Sequence, residues 1–215
     1  MPKRKLFICS LTLLTAILAT SVFVSANVTV GVKKGDWIEY QVSVSGIAPE
    51  GHDAKWARME VSNVQGSALT LNVTTQFTNG SYLYENITLN LQTGELGDDF
   101  FIPSNMNLGQ NFTDIHSGNI TISKSEEKIY AGTSRPVLYG ATAFTTFYWD
   151  KQTGILVEAN SNYKDINFTM TTIAYKTNIW QPQNSIQGIS YFLIIVILLL
   201  VITALIAIWR RKKPK

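Results

Sequence analysis

The chain of 215 residues holds one cysteine, two histidines and six prolines, and only 15% of its residues are charged. Each scarcity excludes something. Cys9 lies inside an N-terminal apolar run, so no intramolecular disulfide and no Cys-ligated zinc or iron–sulfur site can form. Stability must then come from packing, which favours a core built by one sizeable sheet system. Leu6-Phe7-Ile8-Cys9 also lacks the small residues of a lipoprotein signal and sits close to the basic start, so Cys9 is not expected to carry a lipid.

Histidine is equally uninformative. His52 stands beside Asp53 in a Gly-containing loop, and His116 follows Asp114 by two residues. Either pair has the parts of a general base, but neither accompanies a nucleophile in a recognisable turn, so no catalytic residue is assigned. Glu95, Asp98 and Asp99 offer oxygen ligands, yet their spacing matches no EF-hand loop. They read as a solvated turn, and neither a metal site nor a cofactor is expected.

Basic residues are scarce in the middle of the chain. Three (Lys3, Arg4, Lys5) precede the first apolar run and five (Arg210, Arg211, Lys212, Lys213, Lys215) follow the last, leaving ten between them against all fifteen acidic residues. The intervening segment is net acidic although the whole chain carries +3. It lacks the clustered Lys and Arg that nucleic acid requires.

What is present begins with two apolar segments. Residues 1–26 have a basic start, an apolar stretch and small residues at Val24-Ser25-Ala26, the anatomy of a secretory signal peptide cleaved before Asn27. The run is also long enough to serve as an uncleaved anchor. Residues 189–208 contain no charge and at about 1.5 Å per residue cover roughly 30 Å, a bilayer core. Tyr191 and Trp209 flank the run at interfacial positions, and four basic residues follow at once. The expected order is a signal peptide (1–26), a β-rich extracellular domain (27–177), a juxtamembrane linker (178–188), a transmembrane helix (189–209) and a basic cytoplasmic tail (210–215). The chain would thus be a single-pass protein of the cell membrane, N-terminus outside and C-terminus cytoplasmic. Trp180 in the linker is a candidate for the headgroup level.

About 155 residues between these segments suffice for one domain with a real core. Ile38, Tyr40, Val42 and Val44 alternate with Glu39, Gln41, Ser43 and Ser45, the period of a half-buried strand. Similar patterns predict strands at 55–64, 67–77, 81–92, 119–123, 127–131, 135–143, 144–150, 155–160 and 166–175. Asn79-Gly80, Thr93-Gly94 and the turn ending at Gly154 separate several of them. Residues 100–110 have no clean period and read as a loop across one end of the sheet. No sustained 3.6 period occurs in this region. The fold class expected is an all-β ectodomain, an antiparallel meander of roughly eight to ten strands curled into a sandwich or partly open barrel, plus one C-terminal transmembrane helix.

Seven Asn-x-Ser/Thr sequons occur, at Asn27, Asn72, Asn79, Asn86, Asn111, Asn119 and Asn167. They are candidate glycan acceptors in an exported chain, although a strand face rich in Asn and Thr generates such spacing by itself. Aromatic residues concentrate at Phe144, Phe147, Tyr148 and Trp149, with Trp37, Tyr40 and Trp56 able to join them on one face. That set is either an ordinary sheet core or a concave face able to hold a glycan or lipid tail.

The runs Gly35-Asp36-Trp37-Ile38-Glu39-Tyr40 and Tyr148-Trp149-Asp150-Lys151-Gln152-Thr153-Gly154-Ile155-Leu156-Val157-Glu158 resemble phrases in uncharacterised archaeal exported proteins with a C-terminal single-pass anchor. The resemblance implies an archaeal cell-surface setting and brings no activity. The curled meander is also similar in shape to lipoprotein-carrier half-barrels, by analogy of fold. The leading expectation is a non-enzymatic surface protein whose ectodomain binds an envelope protein or glycan. A carrier of a lipid or other apolar ligand is the alternative, and an exported hydrolase the third. A large apolar cavity would favour the carrier, a filled core the binding module.

Overall fold

The computed structural model describes residues 28–49, 51–96, 99–115, 117–181 and 195–200. The signal segment with Asn27, residues Asp98 and His116, most of the linker and most of the apolar run fall outside these. Among the described residues no helix is long and apolar enough to cross a membrane; residues 195–200 are helical and expose apolar side chains such as Ile197 and Leu200.

Eleven strands form among the described residues. The first four are β1 (Trp37–Ser45), β2 (Ala54–Gln65), β3 (Ala68–Phe77) and β4 (Tyr82–Asn90). A short hairpin follows, β5 (Asn111–Asp114) and β6 (Gly118–Thr121), and then β7 (Lys124–Tyr130), β8 (Thr133–Ala141), β9 (Thr145–Asp150), β10 (Leu156–Tyr163) and β11 (Phe168–Thr177). Nine of these build one antiparallel sheet in the order β4-β3-β2-β1-β11-β10-β9-β8-β7, while β5 and β6 pair only with each other. The simple meander is therefore corrected to two meanders. One winds outward from β1 and the other inward to β11, and the two meet where Val42 lies opposite Thr172. Pattern alone could not show this, because periodicity gives a strand's faces but not its partner.

Register slips at Glu39/Tyr40, Ala54/Trp56, Val61/Asn63 and Leu156/Glu158 mark bulges, which bend strands and increase twist. The sheet curls, with Tyr40, Met59, Val73, Phe147 and Trp149 on its inner face. The segment between β4 and β7 crosses this inner face and plugs one end. Its Leu96, Phe101, Ile102, Phe112, Ile120 and Ile122 are buried in the core, and Phe112 meets Trp149 edge-on at 5.4 Å. The Trp149 indole N–H donates to the Asp99 carbonyl at 2.7 Å. Residues 100–110 are irregular backbone at one end of the sheet, as their lack of period predicts, and they send Phe101, Ile102 and Met106 into the core. Gly140 makes this packing possible, since a Cβ there would lie 2.8 Å from Ile120 and 3.0 Å from the Trp149 ring.

A second, smaller cluster forms on the outer face. The twisted β7–β8 hairpin brings the Lys128 ammonium within 2.6 Å of the Glu158 carboxylate on β10, and the Tyr130 hydroxyl donates to the same oxygen. Asp150 is fully buried, and Arg135 donates to both of its oxygens, at 2.7 and 3.1 Å. Trp180 closes the cluster. It is only 6% exposed, its indole N–H donates to the Tyr130 carbonyl at 3.2 Å, and the Arg135 guanidinium lies 4.7 Å above its ring. Trp180 is therefore a core residue of the domain and does not sit at a headgroup layer. The folded unit extends past 177 to the start of the linker.

Candidate functional site

The end of the curled sheet away from the plug is not filled. The inner face there encloses a hollow of about 420 Å³, within the range of small-molecule pockets. Its floor is Tyr40 and Val42 of β1 with Ala57 and Met59 of β2. One wall comes from β3 and β4, with Val73, Thr75, Phe77, Leu83, Glu85 and Ile87. The facing wall comes from Phe147, Ala159, Ser161 and Met170 on β9, β10 and β11. The strand alternation visible in the sequence explains these walls: every second residue of each strand turns inward.

The inner end abuts the plug at Asp99, Phe100 and Ser117, and the outer end is bordered by Gly51, His52, Phe77, Leu83 and Tyr163. Strands β2 and β4 begin and β3 and β10 end there, so the mouth opens among loops. A ladder of rings edges it. Phe144 stacks on Tyr163 at 5.4 Å, Tyr163 on Phe168 at 6.1 Å, and His52 meets Phe168 edge-on at 6.4 Å.

Most polar groups inside are already satisfied. The Tyr40 hydroxyl donates to the Leu156 carbonyl at 2.8 Å, and burial holds its pKa well above the ordinary tyrosine value, so it stays neutral. The Thr145 and Ser161 hydroxyls lie 2.9 Å apart and bond each other. Ser117 Oγ donates to Asp99 at 2.7 Å, and the Ser117 amide donates to Asp114 at 2.6 Å. Asp99 is buried at φ 62°, so it does not belong to a solvated turn, unlike the exposed Glu95. No group of three His, Cys, Asp or Glu side chains able to hold a metal occurs among the described residues.

The sequence-predicted aromatic set divides between the faces. Tyr40 and Phe147 line the hollow and Trp149 packs beneath the plug. Tyr148, Trp37 and Trp56 stand on the opposite face, where the Trp56 indole donates to the Tyr175 hydroxyl at 3.0 Å. Phe144 is exposed at the mouth. Period two accounts for this division: consecutive residues 147, 148 and 149 cannot share a face. The residues missing from the sequence-predicted set are the aliphatic ones on β2, β3 and β4, whose only signal was alternation. His52 borders the mouth.

The six described sequon asparagines, Asn72, Asn79, Asn86, Asn111, Asn119 and Asn167, are all exposed. Asn72 and Asn86 are cross-strand neighbours on the outer face, and Asn86 Nδ2 donates to Asn72 Oδ1 at 2.9 Å.

Fold and site together define a class: a curled antiparallel sheet, plugged at one end, with an apolar hollow open at the other. No family model matches the chain, and no curated protein matches it. Among solved structures it is similar to a candidate lipoprotein from Parabacteroides distasonis, with TM-score 0.45 and 10% identity over 71% of this chain and 98% of that one. It is also similar to a candidate exported protein with a YmcC-like fold from Bacteroides fragilis, with TM-score 0.43 and 8% identity over 71% and 100% of the two chains. The siderocalin Ex-FABP gives TM-score 0.27 and 9% identity over 72% and 79%. At these identities no residue acquires a role by correspondence.

Proposed function

We propose that this chain is a membrane-anchored protein of the cell surface whose β domain carries an apolar ligand, without catalysing a reaction. The observation that carries this reading is the hollow of about 420 Å³, walled by aliphatic and aromatic side chains of both meanders. A sheet that served only as an outer binding platform would gain stability by filling such a space, at about 0.8 kcal/mol for each buried methylene. Here the plug fills one end and leaves the other empty, and the Tyr40, Thr145 and Ser161 hydroxyls between are paired internally. The export signal and the apolar run at 189–209 support a surface location with the short basic tail inside.

Native mass spectrometry of the full-length chain, exported and extracted into a non-ionic amphipol, tests the reading. A non-covalent mass that disappears on denaturation is expected, and it should be absent from Ala57→Trp, which places an indole in the floor of the hollow. An empty wild-type chain that also takes up no apolar fluorescent probe would overturn it.

A further inference from the structure

The hollow is not neutral in its charge design. Among the described residues that line it there is no lysine and no arginine, whereas two carboxylates, Glu85 and Asp99, are present. They are placed differently. Asp99 is buried at the plug and bonded to Ser117. Glu85 lies on β4, an edge strand of the sheet, and it is exposed. It falls between Leu83 and Ile87 on the inward-turning face, opposite Val73 of β3.

Glu85 interrupts an otherwise apolar stripe. Its neighbours in that stripe, Leu83, Ile87 and Leu89, are all aliphatic, and the strand has an outer face available for polar residues, which Tyr84, Asn86 and Thr88 occupy. Its carboxylate makes no hydrogen bond or ion pair among the described residues. Two carboxylates buried or half-buried on the outer face behave otherwise: Asp150 is held by Arg135 and Glu158 by Lys128. A lone anion beside an apolar cavity attracts a cationic group and repels an anionic one. The lysines near the mouth, Lys55 and Lys164, do not line the hollow, and each lies within two residues of an acid, Asp53 or Asp165.

We infer that the hollow selects an amphiphile with a cationic head, its chain along the apolar walls and its ammonium against Glu85 at the lip. The inference rests on the carrier reading and narrows it to amine-bearing ligands, against fatty acids and anionic lipids. No covalent step is involved.

The full-length chain in non-ionic amphipol is loaded with an uncharged environment-sensitive apolar dye, which is displaced by tetradecylamine, tetradecanol or tetradecanoate below their micellar concentrations. The three share a chain and differ in head charge. Tetradecylamine is expected to displace the dye at roughly fivefold lower concentration than the alcohol, the scale of a solvent-accessible ion pair, and tetradecanoate is expected to be weakest. Glu85→Gln should bring the amine level with the alcohol, and Glu85→Lys should reverse the order of amine and acid. Equal competition by amine and acid in wild type, or an amine preference that survives Glu85→Gln, overturns the inference and leaves the carrier reading standing. If the dye itself does not bind, or binds Ala57→Trp equally well, the carrier reading falls first.

Discussion

The two meanders share an inner face and differ in what holds them. The arm from β1 to β4 ends in a free edge, and its outer face carries exposed Tyr82, Tyr84, Asn72 and Asn86. The arm from β7 to β11 is fastened on its outer face by Arg135–Asp150, by Lys128 and Tyr130 on Glu158, and by Trp180. Both arms border the hollow, and the first has outer-face links of its own, from Arg58 to Glu39 and Glu60, but only the second carries an ion pair on a fully buried carboxylate there. Core filling is therefore uneven: the plug packs against Trp149 at one end, and the hollow opens at the other, bordered by the free β4 edge.

Substitutions should separate the two arms. Asp150→Ala leaves the half-buried Arg135 without its partner and removes the acceptor for Thr153. A loss of about 3–5 kcal/mol in chemical denaturation is expected, the usual result of breaking a buried pair. Trp180→Ala empties the outer cluster, with an expected cost of about 3 kcal/mol; unchanged stability would return Trp180 to the linker. Gly140→Ala forces a methyl group against Ile120 and Trp149 and should cost about 1–3 kcal/mol. On the other arm, Leu83→Ala should change stability by less than about 0.5 kcal/mol, because Leu83 is already exposed at the mouth, yet weaken uptake of an apolar dye. A large stability loss there would show that this arm is as tightly packed as the other.

The smallest effect concerns pH. Burial by itself raises the Glu158 carboxyl, but hydrogen bonds from Lys128, Tyr130 and Asn160 outweigh it and hold the pKa below the ordinary value of 4.5. A carboxylate depressed in the folded state contributes stability above its unfolded pKa and loses it as pH falls through the folded one. Melting temperature should therefore drop below about pH 4.5 partly through Glu158, and Glu158→Gln should flatten that part of the profile. The Tyr130 hydroxyl, raised by burial and by its bond to Glu158, remains a donor throughout this range.

The strands were largely legible because each alternates: β1 runs over Trp37–Ser45 as its pattern predicts, and β2, β3 and β4 shift by one or two residues. The starts of β7 and the ends of β10 and β11 ran beyond their patterns, since Lys124, Ser125 and Glu126 or Asn162 and Tyr163 carry no apolar alternation. The four-residue β5 was missed, being too short to show a period. The plug is legible as a loop across one end of the sheet, but the burial of its side chains is not. Leu96, Phe101, Ile102 and Met106 are buried as irregular backbone, and without regular spacing their burial leaves only composition as a signal. The hollow's walls were present in the alternation of β2 to β4, but that a space remains between them depends on strand order, which is a property of distant pairs.

That order has a temporal consequence. Strand β1 finds one of its two neighbours, β11, about 130 residues later, where Val42 meets Thr172. At a ribosomal pace of about 5–20 residues per second, roughly 7–26 seconds separate the emergence of the two. Throughout that interval one side of β1 is an unpaired edge, open to foreign strands. Among the described strands the last made, β11, completes the middle of the sheet, so truncation before Phe168 would leave a nascent domain divided at its centre instead of shortened at its end.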